Sequence, residues 1–168
     1  MSWVYRQQAV STKTNAMRIL DRAGIGYTTA VYDLTLEEFS AEAVAECLGV
    51  PYGQVFKTLC VRSNTGECVF AVVPGGSELD LKGLARTAGY KKVELVPVRE
   101  VELLTGYPRG AVTVMAAKRQ FPVYVDDTVN DWDSIAVSAG IRGLQILLTP
   151  DNYTTVTRAM TATIATQT

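Results

Sequence analysis

Apolar residues recur along this chain in two rhythms, and the switches between them mark out short elements. From Thr14 onward, Ala16, Met17, Ile19, Leu20 and Ala23 keep a helical spacing that Gly24 stops. Residues 27–32 are rich in Tyr, Thr and Val and predict a strand. Ser40 is placed to cap a second helix running to Leu48, closed by Gly49 and Pro51. Residues 55–62 and 68–73 flank the turn signature Ser63-Asn64-Thr65-Gly66 and predict an antiparallel hairpin. Ser77 or Asp80 can cap a helix that turns Leu81, Leu84 and Ala85 inward and Lys82 and Arg86 outward, until Gly89.

The second half continues in the same short units. "KKVELV" predicts a short strand and "REVELLTGY" another helix. Residues 112–116 and 122–125 are strand candidates joined through Lys118 and Arg119. Residues 134–139 and 144–148 pair across "GIRG", and 150–165 are expected to close the chain as a helix. The order predicts an α+β domain with a mixed, largely antiparallel, barrel-like sheet and surrounding helices. At 168 residues the chain suits a single domain, which can hide roughly 70% of its unfolded surface.

Composition narrows the function. Hydrophobic residues make up 48% and charged residues 20%, as expected of a folded globular chain. Sixteen Lys and Arg against 17 Asp and Glu leave a net charge of -1, so contact with nucleic acid has to be local, and duplex DNA is not an expected partner. No apolar run reaches the roughly 18 residues needed to cross a bilayer, and the first residues lack a signal-peptide core, so a cytoplasmic protein without membrane partner is expected. Cys47, Cys60 and Cys68 are expected as buried reduced thiols.

Histidine is absent altogether. That removes Ser-His-Asp and Cys-His nucleophiles and imidazole metal sites, and the cysteines lack the spacing of a zinc knuckle. Neither metal nor cofactor is expected. Chemistry here has to come from Lys, hydroxyls, backbone amides or the substrate itself.

Lys57 is the most informative cation. In "VFKTL" a period of two puts it on one face with Val55, Leu59 and Val61, and Phe56, Thr58 and Cys60 on the other. It either snorkels to the surface on its methylene stem or stands at the floor of a pocket facing an anion such as phosphate. Gly106 and Gly110 bracket a proline in "LTGYPRGAV", where a ligand can approach bare amides. In "VSAGIRG", Ser138 ends a strand beside Gly140, Arg142 and Gly143, otherwise an ordinary hairpin turn. Lys82, Arg86, Lys91, Lys92, Lys118 and Arg119 could merge into one basic face or be plain solvated charge.

Taken in order, "VFKTL", "DLKGLARTAGYKKVELV", "LTGYPRGAVTVMAAKRQFPVYVDD" and "VSAGIRGLQILL" resemble the YbaK family of Cys-tRNA(Pro) deacylases, within the superfamily of the prolyl-tRNA synthetase editing domain. The resemblance runs from about Thr14 to the C-terminal segment, leaving residues 1–13 as an extension and 14–168 as the domain. It implies a free-standing editing factor acting on the acceptor end of aminoacyl-tRNA, beside prolyl-tRNA synthetase. It also implies roles: Lys57, Gly110 and Ser138 in catalysis; Tyr32, Ala111, Val112, Thr113, Arg142 and Gln145 in substrate binding; Lys82, Lys91, Lys92, Lys118 and Arg119 on the tRNA. In the family's route the cysteinyl thiol attacks its own ester carbonyl, while loop amides at Gly110 steady the oxyanion. A module of the same fold that only holds tRNA ends or nucleotide-like ligands is the alternative.

Two departures from the family stand out. Its Gly-Gly-Ile-Ser-Pro loop reads Gly110, Ala111, Val112, Thr113, Val114 here, and its acidic residue after "RGL" is Gln145.

Overall fold

The computed structural model describes residues 12–32 and 39–166. Most of the expected N-terminal extension therefore lies outside the described residues. Five helices are seen: α1 (Asn15–Arg22), α2 (Ala41–Leu48), α3 (Leu81–Ala88), α4 (Val98–Thr105) and α5 (Pro150–Thr157). Eight strands accompany them: β1 (Thr28–Val31), β2 (Phe56–Ser63), β3 (Cys68–Pro74), β4 (Val93–Leu95), β5 (Val123–Asp126), β6 (Ile135–Ser138), β7 (Leu144–Leu148) and β8 (Met160–Ala162). Caps fall where the sequence puts them. The Ser40 hydroxyl accepts from Ala43 N–H at 3.1 Å, and Asp80 rather than Ser77 caps α3, accepting from Gly83 N–H at 3.0 Å.

The strands form two sheets, in the orders β1-β7-β6 and β4-β2-β3-β5-β8. The β3–β5 and β5–β8 pairs are parallel and the other pairs antiparallel, so the α+β, largely antiparallel expectation holds. Among the described residues the barrel is not closed, and the sheets meet at a bridge between Val55 and Ala136. Phe56, Cys60, Phe70 and Val72 of the larger sheet pack on Ile135, Val137, Leu144 and Ile146 of the smaller, forming the main core with α1. Val61, Val69, Ala71 and Val73, on the opposite face, are covered by Leu84 and Ala85 of α3. Ala30, Tyr32 and Ala136 are covered by α2. The period-2 reading of β2 is thus realised as two separate cores.

Three expectations fail. Residues 112–116 form no strand. Their burial does alternate, with Ala111, Thr113 and Met115 inside, but no strand among the described residues pairs with them to supply a ladder. The final helix stops at Thr157, where Arg158 turns left-handed at φ 54°, and Met160–Ala162 instead pairs with β5. Asp126, 1% exposed, holds that turn-back, its carboxylate accepting from the N–H groups of Ile164 (2.9 Å) and Ala165 (2.8 Å). Leu81 is 36% exposed, and Leu84 and Ala85 alone of the three expected inward residues cover the sheet.

The cysteines also divide. Cys60 is buried, Cys68 half-buried and Cys47 exposed, against the expectation that all three are inside. Burial pushes the Cys60 thiol up to about 12, so it stays protonated at neutral pH. With a disulfide reagent at pH 8, Cys47 is expected to react first and Cys60 only after denaturation. A burst of all three thiols from native protein would contradict this packing.

Candidate active site

One cleft of about 330 Å³ opens where the two sheets part. Beyond the Val55–Ala136 bridge, β2 has no strand partner on that edge until β4 joins it at Val61. Cys60 C=O, which accepts from Val96 N–H at 3.0 Å, shows which way the even-numbered residues face. Ladder alternation therefore turns the N–H and C=O of Thr58 toward the cleft. This unpaired stretch makes one wall, and the loop after α4, the ends of β6 and β7, and the start of α2 make the others.

Lys57 lines the cleft with a half-buried side chain. The ion pairs among the described residues are Lys13–Asp21, Arg62–Glu100 and Lys92–Glu94, so Lys57 takes part in none. Glu42 lines the same cleft and feels the charge of Lys57. Burial works against that carboxylate, but the N–H of Gly76 at 2.6 Å, its own N–H and the charge of Lys57 outweigh it and hold its carboxyl below the ordinary range. The carboxylate is therefore ionised at neutral pH.

The loop opposite is braced from outside. Ser138 Oγ donates to Ala111 C=O at 3.0 Å and accepts from Gly140 N–H at 3.1 Å. Arg142 Nε donates to Arg109 C=O at 2.8 Å, with its guanidinium carbon 4.4 Å from the centre of the Phe39 ring. Ala111 N–H closes a turn onto Pro108 C=O at 3.0 Å. The N–H groups of Gly110 and Val112, both cleft residues, have no hydrogen-bond acceptor among the described residues. Gly110 sits at φ +87°, and a Cβ there would stand 2.7 Å from Phe39 Cβ. Gly110→Ala is accordingly expected to cost about 2 kcal/mol or more of stability, read as a lowered urea midpoint. An unchanged midpoint would contradict this close approach.

The structure thus gathers Lys57, Gly110, Val112, Ser138 and Gln145 around one space. It does not gather the rest. Ala111 and Thr113 point into the core, so the methyl that replaces the family's second glycine leaves the cleft unnarrowed. Tyr32 is buried under α2, its hydroxyl without a partner among the described residues, and lies off the cleft. Arg142 is exposed behind Gly110, bracing the loop rather than lining the cavity. Lys82, Lys91, Lys92, Lys118 and Arg119 are all exposed and none reaches the cleft; Lys92 is paired with Glu94 at 2.7 Å.

Sequence reasoning missed Arg109, Glu42 and Phe39, which line the cavity. For Arg109 there was a signal, a cation directly before the loop glycine. For Glu42 and Phe39 there was none, since only α2's docking brings them in. Among the described residues there is no group of three or more His, Cys, Asp or Glu that could hold a metal, and no helix is long and apolar enough to cross a membrane.

Known proteins are similar to this chain in sequence and in fold. The sequence profile of the aminoacyl-tRNA editing domain matches residues 37–156. A protein of Enterococcus faecalis, provisionally named Cys-tRNA(Pro)/Cys-tRNA(Cys) deacylase EbsC, is 41% identical over 92% of this chain and 94% of its own. The multifunctional Ser/Thr-tRNA deacylase ProXp-y of Escherichia coli is 28% identical over 67% of this chain and 70% of its own. A crystal structure provisionally described as a trans-editing enzyme for prolyl tRNA synthetase superposes with a TM-score of 0.80. It covers 94% of this chain and 100% of that one at 23% identity, a likeness of fold alone. With the profile spanning most of the chain and a relative this similar end to end, the chain belongs to the aminoacyl-tRNA editing domain family.

Proposed function

We propose that this protein is a trans-editing deacylase that clears mischarged tRNA(Pro), with Cys-tRNA(Pro) as its leading substrate. The observation that carries the reading is Lys57, a cation with no ion pair among the described residues, inside a cleft whose opposite wall offers loop amides with no acceptor among them. A volume of about 330 Å³ is small, at the low end for ligand pockets, and suits an aminoacyl ester with its terminal adenosine rather than a stem.

In this reading Lys57 holds the phosphate or ribose of the terminal nucleotide, with Arg109 beside it. The N–H groups of Gly110 and Val112 face the ester carbonyl. The cysteinyl sulfur attacks the carbonyl carbon, closing a thiolactone, and the tRNA 3′ oxygen leaves with the thiol's proton. No protein nucleophile is required, in keeping with a chain that has no histidine. Positioning within such a site supplies several kcal/mol, and one aimed oxyanion donor about 3 to 4. Ser138 serves through Ala111, holding the loop rather than touching the ester. The five exposed cations contact the tRNA body, prolyl-tRNA synthetase supplies the mischarged tRNA, and the setting is cytoplasmic.

Purified protein incubated with labelled Cys-tRNA(Pro), Ser-tRNA(Pro) and Ala-tRNA(Pro) tests the reading. Release well above the buffer rate, greatest for Cys-tRNA(Pro), is expected. Tight tRNA binding with every ester intact would instead establish a module that only holds tRNA ends.

A further inference from the structure

We propose that Gln145 selects the aminoacyl group by hydrogen-bonding an uncharged hydroxyl or thiol on its side chain. The inference rests on the deacylase reading and adds to it the class of side chain accepted.

Gln145 sits in the middle strand of the smaller sheet, opposite Ala30 on β1 and Ser138 on β6. It is 4% exposed and lines the cleft, and its Oε1 has no hydrogen-bond partner among the described residues. Neither cross-strand neighbour can satisfy it. Ala30 has no polar side-chain atom, and the Ser138 hydroxyl is spent on Ala111 C=O and Gly140 N–H. Tyr32, buried on the same face, makes no bond to it, since its own hydroxyl is also unpartnered. A buried amide oxygen left bare is costly to a fold, and the Gln145 side chain lines the cleft from which a ligand can approach its amide.

The chemistry of the partner follows from the charges around it. Gln145 is neutral, so an ammonium seated there would lose water without gaining a counter-charge, and Lys57 and Arg109 in the same cleft would repel it. The carboxylate of Glu42, the only acidic residue in the cleft wall among the described residues, is the better seat for a cation. A hydroxyl or thiol is neutral and both donates and accepts, so it matches either end of the amide. Seryl, threonyl and cysteinyl groups carry such a donor; alanyl and prolyl groups do not.

The test compares wild type with Gln145→Met, which keeps the length and removes the amide. Seryl and alanyl esters have no thiol to close a ring, so water attacks the carbonyl and the tRNA 3′ oxygen leaves with its proton. Wild type is expected to release serine from Ser-tRNA(Pro) with a kcat/KM about tenfold or more above that for Ala-tRNA(Pro), and the variant to bring that ratio within about threefold of unity. Calorimetric titration with stable amide-linked seryl- and alanyl-adenosine should show the same preference and its loss. The variant should melt at or above the wild-type temperature, because an unsatisfied buried group has gone. An unchanged Ser-to-Ala ratio in Gln145→Met, or no wild-type preference in either assay, overturns the proposal. So does a marked fall in melting temperature, which would make Gln145 a structural partner. If no ester is released yet the seryl analogue's preference depends on Gln145, the deacylase reading fails and the selectivity stands.

Discussion

Lys57→Met is expected to lower kcat/KM on Cys-tRNA(Pro) by about 100-fold or more while leaving the fold intact. The ammonium is half-buried in the cleft and free of ion pairs among the described residues, so its charge is available to an anionic ligand. A charge-assisted hydrogen bond in a partly dry site contributes about 1.5–3 kcal/mol and adds to the Coulomb attraction, which converts to a factor of this size. Methionine keeps a chain of similar length on the same strand face as Val55 and Leu59 and removes the charge. The salt dependence of tRNA binding should flatten by about one unit of slope, as for a lost phosphate contact. Deacylation kinetics at two salt concentrations, with a thermal melt as control, check both parts. Wild-type turnover in the variant would sink the assignment of Lys57 to the site.

Asp126→Ala is expected to produce the largest loss of stability, about 3 to 5 kcal/mol. The buried carboxylate accepts four hydrogen bonds, from Thr128 N–H (3.2 Å), Thr128 Oγ1 (2.6 Å), Ile164 N–H and Ala165 N–H. Removing it strands the two C-terminal amides and leaves the turn-back held by the pairing of β8 with β5 and by the bonds of residues 163–166 to Asp127 and residues 78–80. Urea unfolding should show the midpoint falling by roughly 2 M, for a slope typical of a domain this size. Asp126 lies outside the cleft lining, so protein that remains folded at low temperature should keep wild-type kcat/KM. A loss of activity without a loss of stability would place Asp126 in the chemistry instead.

These two residues illustrate unequal legibility. Lys57 stood out in the sequence because a cation interrupts an apolar strand, and a local rule of alternation suffices to mark it. Asp126 sits in "VYVDD" with nothing to distinguish it from a turn residue, because its partners lie 38 and 39 positions further along. The departure at Ala111 reads in the sequence as a change to the cleft. In the fold it is a core methyl, because the burial alternation of residues 111–116 turns that side chain inward. Arg142 reads as a ligand contact and is a brace, its guanidinium held by Phe39 and the Arg109 carbonyl.

By itself the sequence determined the local elements, since caps, glycine stops and the two apolar periods act over a few residues: α1 to α4, the β2–β3 hairpin and the β6–β7 pair. It also determined that any chemistry proceeds without imidazole, and through motif order it pointed to the family. Only the tertiary structure decided which strand edge is left open, and hence where the cleft lies. It alone turned the expected last helix into β8, because a free edge on β5 outbid local helical preference. It alone showed that Gln145 is buried with an unmet hydrogen bond, since that depends on what two neighbouring strands happen to place beside it.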